Sequence, residues 1–382
     1  MTEVRQIVHE LLAQLGSSRE ARQYLKEFSD TNKARFAVIK IGGGILRDHL
    51  EELTSALAFL HRLGLIPVVL HGAGPQLDAA LTEADIGTEK RDGLRVTTEA
   101  VMSVARPLMY RENLRLVDAL ESRGIRARGI QHGVFQCSYL DRENYGLVGE
   151  VEQVDLDAVE SAVRSGAVPV LTCLGESPSG QVLNINADIA TRELVWKLRP
   201  HKVIFLSPTG GLLDRQDRII SAVSLTNDYE ALMQKPWVHS GMRLKLQQIN
   251  EMLQRLPDDT SVSITSAAHL TRELFTYRGA GTLVRKGEAI NAYKEVDSET
   301  LATVTQLVEH SFNRTLRDDW FDHLQEPLIL LSETGRAAAV ICKGVDGLPY
   351  LDKFAVTSRA QGEGLGAAVW QVVTARFPAL YW

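Results

Sequence analysis

AVIKIGGGIL, residues 37–46, runs an apolar strand carrying one lysine, Lys40, into three consecutive glycines, Gly42, Gly43 and Gly44. Glycine lacks a Cβ, so a turn built from it lets backbone amides approach an anion, and a helix N-terminus behind the turn adds positive potential. Phosphate is the usual guest, although a tight strand-to-helix turn also uses glycine for steric reasons alone. Neither GxxxxGK[ST] nor GxGxxG is present, which excludes the common nucleotide loops on pattern. Lys40 is flanked by apolar neighbours in VIKI, where an idle charge would be costly.

Working outward, the same design recurs in VVLHGAGPQL, where Gly72 and Gly74 close a second strand before a helix that starts near Pro75. The alternation of strand and helix (FAVIKI, helix 49–63, IPVVL, helix 76–85) predicts an α/β fold with a largely parallel sheet. Further strands are expected at 167–172, 202–207 and 261–265, with helices near 97–123, 187–198 and 241–256 between them. DGLRV, YGLVGEVEQVDL and SGQVLNINAD read as hairpins, so the sheet should be mixed. Two strands ending in glycine turns make one cleft floor at the carboxyl ends of the sheet, where open α/β sheets bind ligands.

Three later pieces fit that cleft. Arg95 follows a glycine turn in KRDGLRVT and suits a bidentate grip on a carboxylate. VLNINADIA brings Asn184, Asn186 and Asp188 to a helix entry, and SGMRLKLQQI brings Lys245 onto a helix start. Taken singly, Asn186 and Asp188 also read as ordinary helix caps.

The 382 residues have net charge −6 and a typical apolar fraction, so there is no basic field to recruit nucleic acid. No run of about 18 apolar residues could span a bilayer. The start, MTEVRQIVHELL, lacks the pattern of a secretory signal, and a cytoplasmic location is expected. Cys137, Cys173 and Cys342 lie far apart without metal-ligand spacing, so reduced structural cysteines and no protein-held metal are expected. Residues 1–30 read as two short helices with apolar faces, suited to packing on their own domain or on a neighbouring subunit. The polar stretch 287–297 reads as a linker between a first domain, 31–286, and a second α/β unit, 298–382. In that unit helices are expected at 298–312, 317–324 and 365–376, with strands at PLILLS, AAAVICKG, PYLDKFAV and the final FPALYW.

VIKIGGG, LHGAGPQ, DGLRVT, LNINAD, GMRLK and ELFTYRGAGTLV together resemble the amino acid kinase fold, and within it the N-acetylglutamate kinases of arginine synthesis. The flanking YGLVGEVEQVDL, LGESPSGQVLNINAD and MQKPWVHSGMRLK resemble the bifunctional bacterial synthase/kinases, in which a GCN5-type acetyltransferase domain follows the kinase. The resemblance implies ATP with Mg2+ as cosubstrate and N-acetylglutamate as acceptor. It makes Lys40 and Lys245 the cations around the transferred phosphoryl group and Asp188 the residue that orients both. Gly43, Gly44, Gly72 and Gly74 would be amide donors, Arg95 the clamp on the substrate α-carboxylate, and Asn184 and Asn186 substrate-side residues. Gly42 joins the phosphate contacts, and Ser207, Thr209, Gly210 and Gly211 lie where ribose and adenine contacts are expected.

QGEGLG, residues 361–366, fits the acetyltransferase pyrophosphate loop, which implies acetyl-coenzyme A at Gln361, Gly362, Gly364 and Gly366, with glutamate as acceptor and Lys353 near the transfer site. As a strand-edge lysine, Lys353 would otherwise be a solvated charge. The family continues past FPALYW for several more strands and helices, so the second domain is expected to be incomplete. Tyr24, His269 and Gly279 resemble the arginine-binding arrangement of feedback-inhibited members, which implies arginine as inhibitor and a homo-oligomer, a tetramer by analogy. The alternative is a synthase whose kinase-like domain is purely regulatory; an arginine-sensing module without turnover is a further rival.

Overall fold

A computed structural model describes residues 36–238, 240–257, 260–275, 280–357, 360 and 364–382. The described residues form two units, one comprising those up to Val223 with Ala231–Arg285, the other Ser224–Glu230 with Lys286–Trp382.

The first unit opens with β1 (Ala37–Ile41), α1 (Gly43–Asp48), α2 (Leu50–Arg62), β2 (Val68–His71) and α3 (Gly74–Glu83). The hairpin β3 (Lys90–Arg91) and β4 (Leu94–Arg95) leads into the long α4 (Glu99–Glu121). Next come β5 (Ala127–Ile130), β6 (Phe135–Tyr139), α5 (Arg142–Tyr145), β7 (Gly149–Val154), α6 (Asp157–Arg164), β8 (Val168–Thr172), β9 (Leu174–Glu176) and β10 (Val182–Asn184). The series continues with α7 (Ala187–Leu198), β11 (Lys202–Leu206), β12 (Ala222–Ser224), α8 (Leu225–Met233), which belongs to the second unit up to Glu230, then α9 (Ser240–Gln254), β13 (Ser261–Thr265), α10 (Leu270–Phe275) and β14 (Thr282–Arg285).

Eight strands make the central sheet in the order β12-β14-β13-β11-β1-β2-β8-β5. The pairs from β13 across to β5 are parallel, and β14 runs antiparallel on β13. β1 is central, and Ala37, Val38, Ile39 and Ile41 are fully buried, as expected of a strand with helices on both faces. The expected antiparallel pairs are present, β3 with β4, β6 with β7, and β9 with β10, but they form two small sheets of their own, β3-β4 and β10-β9-β6-β7; the central sheet is mixed through β14 instead. Asp92 and Gly93 turn the first of these with φ of 51° and 81°, a pair of left-handed residues that places Arg95 on the return strand. The helix read as 49–63 is α2, and the short α1 precedes it; His49 leaves helical geometry (φ −133°, ψ 30°) and separates the two.

The second unit carries β15 (Ile290–Tyr293), α11 (Ser298–Phe312), β16 (Leu328–Ser332), β17 (Ala337–Lys343), β18 (Pro349–Val356) and α12 (Leu365–Arg376). Its antiparallel sheet has the order β15-β16-β17-β18. Both faces are covered, which is why β17 is apolar almost throughout. Ala337, Ala339 and Ile341 pack with Leu365, Val369 and Val373 of α12, and Ala338 and Val340 with Val304, Leu307 and Val308 of α11.

Three expectations are corrected here. Residues 290–293 of the expected linker form edge strand β15, with Ile290 packed on one core cluster and Tyr293 on the other. Asn291 and Ala292 between them are exposed, and so short a run with two exposed residues in the middle hid the strand. Residues 317–324 form consecutive tight turns, Arg317 to Trp320, Asp319 to Asp322 and Phe321 to Leu324, instead of a helix. Leu316, Trp320, Phe321 and Leu324 still reach the core, so their helix-like spacing was a packing signal. The final FPALYW pairs only through Tyr381, which bridges Tyr350 with bonds to Leu351 and Pro349, and makes no strand.

Candidate active site

The registers Lys40↔Leu70 and Ile41↔His71 bring β1 and β2 to an end at the same level, so both glycine turns open side by side. α1 and α3 start there, and the amides of Gly43 and Gly44 have no partner among the described residues. Gly72 abuts α7: a Cβ on it would stand 3.2 Å from Ala187 Cβ. The first turn of α7 thereby reaches the floor of the cleft.

That turn carries Asp188. Asn186 caps the helix, its side-chain oxygen accepting from the Asp188 and Ile189 amides at 2.8 and 3.4 Å. Asp188 itself is no cap. Its Oδ1 lies 2.7 Å from Lys40 Nζ, and the two side chains are only 17% and 12% exposed. Burial alone would raise the Asp188 carboxyl, but the charges of Lys40 and Lys245 and the Lys40 hydrogen bond outweigh it and hold the group below the usual carboxylate range. Burial, then the charge of Lys40, pushes the Lys245 ammonium down, and Asp188 opposes the shift. Lys40 of β1 is thus in contact with Asp188, and Lys245 of α9 lines the same cavity as that carboxylate.

Beyond Asp188 lies a cavity of about 540 Å3 that Lys245 also lines. Ser207, Thr209 and Gly211 border it, and Gly210 turns the loop at φ 71°. Thr209 Oγ1 donates to Gly211 O at 2.9 Å and sits 2.9 Å from Ser207 Oγ, which shapes the loop from within. Trp237, Met242, Asp214 and Asp217 also line the cavity. Sequence reasoning missed these four; the WVHSGM run just before Lys245 was the available signal for two of them.

Arg95 is 8% exposed at its side chain and pairs with Asp78 of α3 and Thr88. Asp78 is one helical turn beyond Gly74, so the guanidinium is tied close to the second glycine turn. Asn184 Nδ2 donates to Thr97 Oγ1 at 3.1 Å, and Thr97 Oγ1 donates to Arg95 O at 3.0 Å. Thr97, fully buried, therefore joins Arg95 and Asn184, a link no sequence pattern announced.

Under the second turn, Asn113 Nδ2 donates to Val170 O at 2.9 Å and lies 3.2 Å from His71 Nε2. An amide nitrogen only donates, so Nε2 accepts and the imidazole proton sits on Nδ1. Burial pushes His71 from 6.5 down to about 4, partly opposed by the backbone of Gly72. The unfolded chain then takes up this proton first as pH falls. The neutral-imidazole contribution is whole above about 6.5, declines towards pH 4 and is constant below. Wild type should lose about 2 kcal/mol more stability than His71→Gln between pH 7 and pH 5 in urea unfolding; equal losses would contradict a buried neutral His71.

In the second unit, the register passes from Val340↔Lys353 to Ile341↔Leu351, leaving Asp352 as the extra residue of a β-bulge. Lys353 is paired, with Nζ 2.7 Å from Asp352 Oδ2 and 5.7 Å from the Trp320 ring centroid. A cavity of about 630 Å3 adjoins, lined by Asp352, Phe354, Gly366, Trp370 and other largely aromatic residues. Gly364 holds φ 77° at the start of α12, and a Cβ on Gly366 would stand 3.2 Å from Val356. Gln361 and Gly362 lie outside the described residues, as do Tyr24 and Gly279. His269 sits in a short turn with Nδ1 3.2 Å from Ser266 Oγ.

The model of the amino acid kinase family matches residues 35–266, more than half of the chain. The chain belongs to the amino acid kinase family. Beside this kinase-family unit, residues 289–382 match the N-acetyltransferase of N-acetylglutamate synthase. An acetylglutamate kinase from Xanthomonas campestris is 50% identical over 96% of this chain and 87% of its own length. The human mitochondrial N-acetylglutamate synthase is 31% identical over 99% of this chain and 70% of its own. The fold is that of an N-acetylglutamate synthase from Neisseria gonorrhoeae solved with coenzyme A and N-acetyl-glutamate, at TM-score 0.69 and 20% identity over 94% of this chain and 85% of that one. Among the described residues no helix is long and apolar enough to cross a membrane.

Proposed function

We propose that the kinase-family unit transfers the γ-phosphoryl group of ATP to the side-chain carboxylate of N-acetyl-L-glutamate in arginine biosynthesis. The observation that carries this reading is the Lys40–Asp188 ion pair beside two glycine turns, with Lys245 lining the same cavity as Asp188. A carboxylate is already a nucleophile at neutral pH, so no proton has to move. Its oxygen bonds to the γ-phosphorus while the bond to the β,γ-bridging oxygen breaks, giving an acyl phosphate and ADP. The difficulty is the approach of two anions, and the site's work is to hold them in line and spread cations and amides around the moving group.

In this reading Lys40 faces the transferring group, Lys245 the nucleotide side, and Asp188 keeps the two ammonium groups apart and aimed. Gly42, Gly43, Gly44 and Gly74 offer backbone amides at the turns; the Gly72 N–H, expected to join them, is spent on Ile41 O at 3.0 Å, and Gly72 serves by letting α7 approach. Arg95 takes the acceptor's α-carboxylate, and Asn184 borders the acceptor through its bond to Thr97. Asn186, already spent as a helix cap, acts by fixing Asp188. The cavity beside Ser207, Thr209, Gly210 and Gly211 takes the nucleoside. Mg2+ carried on the triphosphate would add further charge neutralisation there.

The second unit is read as moving the acetyl group of acetyl-coenzyme A to glutamate. Gly364 and Gly366 lie at the helix start, and the largely aromatic cavity offers a place for the thioester arm. The paired Lys353 and Asp352 sit at the bulge beside it.

A coupled assay for ADP, with N-acetylglutamate as the varied substrate, tests the kinase reading. Dependence of ADP release on N-acetylglutamate supports it; a synthase with a regulatory kinase-like unit, or an arginine sensor, releases none. Arginine is expected to inhibit, with residues 1–30 required. Removing them should abolish inhibition of ADP release, and full arginine sensitivity after the deletion would contradict that role.

A further inference from the structure

Gln76, in the first turn of α3, reaches across to the other glycine turn. Its Nε2 donates to Gly43 O at 2.9 Å and to Glu112 Oε2 at 3.3 Å, which uses both amide hydrogens. Glu112, on α4, is only 7% exposed, and its other partner is Arg115 Nη1 at 3.2 Å. The two turns touch here: a Cβ on Gly43 would stand 2.6 Å from Gln76 Oε1, 2.8 Å from Pro75 Cδ and 3.0 Å from Ala73 Cα.

The strands below are locked by their ladder up to the bond from Gly72 N to Ile41 O at 3.0 Å. Above that level Gly42 joins β1 to α1, whose first two residues are Gly43 and Gly44, and glycine holds this helix start less firmly than other residues would. The Gly43 carbonyl and the Gly44 N–H belong to one trans peptide and point in opposite directions. A grip on the carbonyl therefore aims the N–H, and the Gly44 N–H has no partner among the described residues. The carboxylate behind Gln76 makes the second amide bond charge-assisted and keeps the side chain from turning away.

We propose that Gln76, backed by Glu112, is a positioning residue that ties the two glycine turns together and sets the separation across which the phosphoryl group passes. The kinetic consequence rests on the kinase reading above; the tie itself does not.

The test compares the full chain with Gln76→Leu and Glu112→Gln, reading kcat, both KM values, the unfolding midpoint and hydrogen exchange of the Ile45 and Leu46 amides, which donate to Gly42 O at 3.0 and 3.3 Å. Gln76→Leu should lower kcat about 10-fold or more while each KM stays within about threefold, because misplaced reactants lose rate before they lose binding. Exchange at Ile45 and Leu46 should quicken about 10-fold or more with little change in the unfolding midpoint. Glu112→Gln keeps an acceptor oxygen for Gln76 but loses the charge, so its kcat should fall in the same direction as in Gln76→Leu and by less; a larger fall than in Gln76→Leu would contradict the backing role. Unaltered exchange in Gln76→Leu overturns the proposal, as does a fall in activity matched by an equal loss of folded protein. Should wild type itself form no ADP, the kinase reading fails, and the exchange measurement still decides whether Gln76 holds the turn.

Discussion

Lys40→Ala is expected to lower kcat for ADP formation by about 10²-fold or more, the scale of losing one positioned electrostatic group, with smaller changes in KM. The ammonium is 12% exposed at the end of a strand whose other residues are fully buried, so the substitution removes charge from the cleft and leaves the sheet's packing in place. Lys245→Ala should act on the same scale. The double variant should be little worse than either single one, since the pair works as a unit. Lys40 also presses the Lys245 ammonium downward. In Lys40→Ala that repulsion is gone, Lys245 stays protonated to higher pH, and the alkaline limb of the pH–rate profile moves upward. A kcat within about threefold of wild type would remove the mechanism.

Asp188→Ala carries the second large effect. Removing one partner of a buried ion pair leaves uncompensated charge, a loss of about 3 kcal/mol or more of stability, and here two cations would face each other. Turnover should fall about 10²-fold because neither ammonium is held in place. Asp188 is the group that raises the Lys245 pKa, so without it Lys245 loses its proton at lower pH. The alkaline limb should then move downward, opposite to Lys40→Ala. Asp188→Asn, which keeps the shape and loses the charge, separates this from a packing defect. Movement of the limb in the same direction in both variants would break the assignment of Lys40 and Asp188 to opposing effects on one amine.

The strands and glycine turns were legible because their physics is local. AVIKI and VVLH are short apolar runs, and glycine after each allows one kind of turn. Asn186 was legible as a cap for the same reason. Residues 290–293 and 317–324 were misread because an edge strand shows only part of its apolar content, and consecutive turns can imitate a helix's spacing. Thr97 and Gln76 stand inside DGLRVT and LHGAGPQ, yet neither motif shows what they bind, and Asp78 and Glu112 lie outside every motif: each takes its role from a partner far away in sequence.

Residue order alone determined that a cation and bare backbone would stand at the end of a buried strand, since apolar flanks and missing Cβ atoms are properties of neighbours in the chain. Only the tertiary structure decided that Lys40 meets Asp188 from 148 residues further along, and that one glutamine spans two turns. Which partner a buried polar group finds depends on strand order and helix packing, and the free energy that selects it is shared across the whole sheet.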